Sequence, residues 1–255
     1  MPSALLWRSN IWQPGGTQDA KKLYADLVAR QPNDVSALLG LAKIPTVERN
    51  WAEATDYLNR ARAAKPSDPA PLIEALSGLY LRAGEPGKAE AVLNTRLQAD
   101  PKDVVVRSAL ASLYSDQKKY DEAITEYARV IAEHPGDARV LNNLAWLYQQ
   151  KGDLAKARGS AERAFGAAPQ EPQIDDTLGW ILLAQGEADR ALTYLSTANL
   201  SAPKNPDIQY HLAIALNRLG RTADAQATLE TLLGSGVTFS DRAEAEKLLL
   251  KLKRG

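Results

Sequence analysis

The chain has 255 residues, 45% of them hydrophobic and 24% charged, the balance of an ordinary folded protein. Lys plus Arg and Asp plus Glu each number 31, so the formal net charge is zero. That argues against a main role on nucleic acid, where phosphate neutralisation needs a concentrated basic surface. The absence of cysteine excludes disulfides and thiolate zinc sites, and the absence of an apolar run of about 18 residues excludes a helical membrane span.

The chain opens on MPSALLWRSN, where Arg8 interrupts a short apolar run that has no basic lead, so it is not read as a signal peptide. From here the sequence predicts pairs of helices with a period of 34 residues. The first unit, 1–34, is the least regular: Trp7 and Arg8 stand where later units carry Leu and a small residue, and Gly15, Ala20, Tyr24 and Pro32 complete it. Unit 35–68 has Leu41-Ala42, Ala54, Leu58 and Pro66, and its Ile44-Pro45 is expected to kink or shorten the first helix. Pro69 is an extra linker residue. Unit 70–103 has Leu76-Ser77, Gly84, Ala89, Leu93 and Pro101; unit 104–137 has Leu110-Ala111, Ala123, Tyr127 and Pro135. Unit 138–171 has Leu144-Ala145, Gly152, Ala157 and Pro169; unit 172–205 has Leu178-Gly179, Gly186, Ala191, Leu195 and Pro203. Unit 206–239 has Leu212-Ala213, Gly220, Ala225 and Leu229. The stretch SDRAEAEKLLLKLK, 240–253, predicts a closing helix with Ser240 as N-cap and Ala243, Leu248 and Leu252 among the residues covering the last unit.

Physical chemistry explains why sizes repeat while letters drift. The small residue beside each register leucine lets the second helix approach the first. The second helix offers Ala at the contact and a larger apolar residue four positions on, on the same face. Glycine between the helices suits a left-handed residue at the end of the first. Proline ends the unit because no helix runs through it intact.

The L-[small]-x2-[Tyr/Leu] element, the register alanine and the closing proline together resemble the tetratricopeptide repeat (TPR). The leading Trp of that family's pattern is replaced here by Leu38, Ile73, Arg107, Leu141, Asp175 or Gln209. The resemblance implies an all-α fold: a right-handed superhelical solenoid of about seven helix-turn-helix units plus a C-terminal capping helix, forming one domain over 1–255. It also implies that the first helices line a concave face where a protein or peptide partner sits. The expected partner-binding residues on that face are Arg139, Asn142, Trp146, Gln173, Asp176, Trp180, Asp207 and Tyr210. Aromatic faces with polar edges suit a peptide, a helix or a sugar chain alike. Equally, Trp146 and Trp180 could serve only to pack neighbouring first helices. One TPR subclass grips a carboxylate tail with paired Lys and Asn; here Asn142 and Asn143 are present, but the only inner basic residues of the last units are Arg139 and Arg218, so that clamp is incomplete.

No catalytic, cofactor or metal site is expected. His134, at a helix end before Pro135, suits carbonyl capping, and His211 is far from it in the repeat order. Asp175-Asp176 looks like a carboxylate pair but reads as acids favoured by a helix N-terminus. The terminal KLLLKLKRG reads as a solvated basic helix end.

Over 138–253 the LAW and LGW units, the following Y-H-L-A unit and the charged closing helix resemble the C-terminal end of bacterial TPR lipoproteins associated with exopolysaccharide production and the PEP-CTERM system. This implies a non-catalytic scaffold in a periplasmic or envelope-associated assembly for polysaccharide synthesis or export, and a chain that is the C-terminal fragment of a longer protein. The alternatives are direct carbohydrate binding in the concave groove, a regulatory fragment of a larger enzyme, and a cytoplasmic location.

Overall fold

The computed structural model describes residues 16–254; the expectations for the chain start and for Trp7, Arg8 and Gly15 lie outside them. The described residues form fourteen α-helices and no strand. They are α1 (Gly16–Arg30), α2 (Val35–Val47), α3 (Trp51–Ala63), α4 (Ala70–Arg82), α5 (Pro86–Ala99), α6 (Val104–Asp116) and α7 (Tyr120–Glu133). There follow α8 (Ala138–Gln150), α9 (Leu154–Ala167), α10 (Pro172–Ala184), α11 (Ala188–Ser201), α12 (Pro206–Arg218), α13 (Thr222–Gly234) and α14 (Arg242–Leu252). The chain divides into two compact units, one ending at Leu113 and one beginning at Tyr114.

Every first helix from α2 to α12 ends the same way. A residue with positive φ follows the cap, its N–H bonds back three residues, and the next N–H bonds back five. At the end of α10, for example, Gly186 N–H donates to Leu183 O at 3.1 Å and Glu187 N–H to Leu182 O at 2.9 Å. Glycine takes this place at 84, 152, 186 and 220, but Arg49 and Lys118 adopt the same left-handed backbone, at φ 58 and 59. The bends therefore recur where glycine does not, held by the paired carbonyl bonds.

In the first unit the core runs through Leu38, Leu41, Ala42, Ala54, Leu58, Ala61, Leu72, Leu76 and Leu79. The register alanines Ala54 and Ala89 are wholly buried. Pro45 does not shorten α2, which keeps thirteen residues like its counterparts. It lies in the last turn, so little ladder is lost, and its carbonyl accepts the Asn50 N–H at 2.8 Å.

In the second unit α8 packs on α9, α10 on α11, and α12 on α13, with α9 and α11 joining successive pairs and α14 closing on α13. Ala123, Ala157, Ala191 and Ala225 are wholly buried. A Cβ added at Gly179 would stand 2.7 Å from Leu195 Cγ and 3.3 Å from the Ala191 carbonyl oxygen, so α10 and α11 meet at that point. The closing helix differs from expectation at its start. A turn joining Phe239 O to Arg242 N–H precedes it, so Asp241 rather than Ser240 takes the cap position. Ala243 is exposed; Ala245, two residues on, is the buried contact, joined by Leu248, Leu249 and Leu252 against Tyr210, Leu229 and Leu232.

Candidate functional site

The residues with chemistry to offer lie on α8, α10 and α12, three successive first helices of the second unit. On α8, Asn142, Trp146 and Gln149 fall at i, i+4 and i+7, one stripe of the helix. Trp146 is 41% exposed, and its ring meets Tyr120 edge-on, with centroids 5.9 Å apart. On either side of it, Asn142 Oδ1 and Gln149 Oε1 are buried without a hydrogen-bond partner among the described residues. A covered acceptor left unpaired costs roughly 1–3 kcal/mol. Both oxygens are covered by protein, so the group the stripe offers directly to a ligand is the Trp146 ring. Asn143 is committed elsewhere, donating to the Tyr127 hydroxyl at 2.9 Å.

One helix on, Trp180 is half-buried and lies flat on His211 of α12, with centroids 4.1 Å apart and planes 14° from parallel. Asp176 Oδ1 is 2.8 Å from His211 Nδ1. The carboxylate thereby orients the imidazole, and the imidazole occupies one face of the indole. Trp146 and Trp180 thus differ: the first offers an open ring surface, and the second is built into a three-residue cluster. Arg139, Gln173 and Asp207 are exposed at the N-terminal ends of the three helices.

Tyr210 is not part of that accessible set. It is 9% exposed, packs against Phe239 at 6.2 Å and belongs to the core beneath α14, where burial raises its hydroxyl pKa. The closing helix covers Tyr210 more fully than Asn142, its half-buried counterpart on α8, is covered. Asp175 also departs from expectation. It is wholly buried, both carboxylate oxygens lack a partner among the described residues, and desolvation raises its pKa. It stands in the first turn of α10, as a helix-start acid does, but the repeat register puts it where Leu38 and Leu141 fill the core, so it is buried there as well. His211 and Gln149 went unremarked as site residues; their signal is register, since Gln149 continues the Asn142–Trp146 stripe and His211 stands beside the Asp176 ladder. Among the described residues there is no grouping of His, Cys, Asp and Glu that could hold a metal, and no helix long and apolar enough to cross a membrane.

A tetratricopeptide repeat family model matches residues 48–113, 114–181 and 182–252, and a second such model matches 12–69. The chain is 36% identical over 104 residues to cellulose synthase 2 operon protein C of Komagataeibacter xylinus, covering 40% of this chain and 8% of that protein. It is 26% identical over 133 residues to cellulose synthase operon protein C of Pseudomonas fluorescens (strain SBW25), covering 48% of this chain and 10% of that protein. The matches thus span a tenth or less of these relatives' length. Among solved structures, a tetratricopeptide repeat protein from Parabacteroides merdae superposes with a TM-score of 0.69 at 16% identity, over 94% of this chain and 93% of that one. A chain of the APC/C hetero-tetramer Cut9-Hcn1 superposes with a TM-score of 0.71 at 17% identity, over 93% of this chain and 46% of that one. At these identities the likeness concerns the fold.

Proposed function

The chain belongs to the tetratricopeptide repeat family, and from that premise we propose that it is a non-catalytic scaffold whose first-helix face on α8, α10 and α12 holds a protein partner. The observation that carries this is the α8 stripe: Trp146, 41% exposed, with the side chains of Asn142 and Gln149 on either side of it. An extended segment of a partner supplies the apolar face that the indole takes. Arg139, Gln173 and Asp207 supply polar contacts at one end of the same helices, and the Asp176–His211–Trp180 cluster fixes the surface beside them. Tyr210 is left out because it is core.

The setting we propose is a bacterial envelope assembly that makes or exports an exopolysaccharide. The two relatives named for cellulose synthase operons support this, over the small share of their length that matches. Co-purification from the native host tests it. The wild-type chain should retain a component of polysaccharide synthesis or export, identified by mass spectrometry, and Trp146→Ala should lose it while the helix content stays unchanged. Retention of the same proteins by Trp146→Ala would remove this face from the account.

A further inference from the structure

The first compact unit carries a cleft of about 430 Å³ between α3 and the turn that joins α4 to α5, far from the first-helix stripe in the repeat register. Its volume lies within the range of small-molecule sites, roughly 300–1,000 Å³. Trp51, Thr55, Asp56 and Asn59 line one side, and Tyr80, Ala83, Glu85 and Lys88 the other, over Leu79.

The equivalent positions in the second unit carry larger side chains, and in two of the three cases these bridge the groove. Where Thr55 and Ala83 face the cleft, the corresponding pairs are Ile124 and Lys151, Arg158 and Gln185, and Leu192 and Leu219. Arg158 bridges its groove, reaching Glu162 at 2.8 Å, Glu187 at 2.6 Å and Gln185 at 3.4 Å. Lys151 pairs with Asp121 across the preceding one. In the α3 groove both positions are small, and Trp51 stands where the Arg158 groove has Leu154.

The lining also selects among ligands. Asp56 and Glu85 oppose only Lys88, so the cleft disfavours phosphates and acidic sugars. A cationic ligand meets a place already taken: Lys88 Nζ lies 5.6 Å over the Tyr80 ring and 2.6 Å from Glu85. What remains is the half-buried Trp51 indole, the exposed Asp56 carboxylate, which spends no oxygen on a protein group among the described residues, and the Asn59 amide N–H groups, since Asn59 Oδ1 already accepts from Arg62 at 3.0 Å. Such a set offers a flat apolar face to ring C–H groups and acceptors to hydroxyls. We infer that this cleft is a binding site for a neutral saccharide unit, stacked on Trp51 and hydrogen-bonded by Asp56 and Asn59. The site is separate from the scaffold face proposed above, and either can fail without the other.

The test is titration of the full chain with cellotetraose and mannotetraose, followed by the Trp51 indole N–H resonance. The inference predicts a saturable shift with at least one of them at millimolar concentration. The shift should be lost or strongly weakened in Asp56→Ala, which keeps the Trp51 probe. It should vanish also in Thr55→Arg/Ala83→Gln, which rebuilds the Arg158-type bridge, with an unchanged melting temperature showing that this variant is folded. Absence of any shift, a shift that survives in the bridged variant, or a larger shift with tetralysine than with either sugar would overturn it.

Discussion

Trp180 is stacked on His211 at 4.1 Å, and that contact separates the two tryptophans of the first-helix face by role. Trp180 shares one ring face with a neighbouring helix, whereas Trp146 meets Tyr120 in a T-shaped contact and stays 41% exposed. Substituting each by alanine should therefore split the effects. Trp180→Ala should lower stability by about 1–3 kcal/mol, less than the roughly 3–5 kcal/mol of a fully buried ring. Trp146→Ala should cost under about 1 kcal/mol. Urea unfolding followed by circular dichroism reads both, and equal losses would mean that Trp146 is also a packing residue.

Asp175 gives the chain a pH dependence of a definite sign. Its pKa in the folded state is raised by burial, so the folded state holds its proton at pH values where the unfolded chain has released it. Stability from this residue is thus full at acid pH and falls as pH rises from the ordinary aspartate range through the raised value. Asp175→Leu places at this position the residue that stands at 38 and 141. It should stabilise the protein at neutral pH by about 1–3 kcal/mol, the scale of an unpaired buried polar group. The advantage should shrink on acidification. A gain that is the same at pH 4 and pH 7 would show that ionisation of Asp175 carries no cost.

The left-handed bend after α6 is held by Lys118, an exposed residue with φ 59. Lys118→Gly removes a steric cost of roughly 1–2 kcal/mol and adds part of it back as unfolded-chain entropy. The expected net gain is about 0.5–1 kcal/mol. Gly186→Ala, at φ 87 in the equivalent bend, should lose a comparable amount. Denaturant midpoints of the two variants should move in opposite directions.

Ala157 and Gly179 are contact points with no room to spare: Ala157 is wholly buried, and a Cβ at 179 meets Leu195 at 2.7 Å. Gly179→Ala should cost about 1–3 kcal/mol by overpacking, and Ala157→Leu at least as much. Thermal melts that match the wild type would contradict the helix–helix register.

The sequence carries the repeat because packing constrains size at fixed intervals. The alanines at 54, 89, 123, 157, 191 and 225 and the leucines beside the small residues are all buried. Asp175 shows where local reasoning misleads. An acid near a helix start invites a dipole reading, but the register outranks it, because the position points between helices. Tyr210 shows the effect of context that a repeat pattern omits. It shares its register with Asn142 and Asp176, yet α14 closes over it, and a terminal helix has no counterpart in the earlier units. The Asp176–His211 bond joins residues 35 apart on neighbouring first helices, and the unpaired oxygens of Asn142 and Gln149 depend on side-chain placement. Neither could be read before the helices were set side by side.

Site-directed photo-crosslinking in the native host bears most directly on the scaffold reading. A photoreactive residue at Gln173, exposed on α10 beside the tryptophans, should capture one discrete protein of the polysaccharide machinery. The product should disappear when Trp146→Ala is added, and it should not form from Leu200, exposed on the second helix α11. Capture of glycan alone, or the same products from positions 173 and 200, would contradict the claim that this face holds a protein partner.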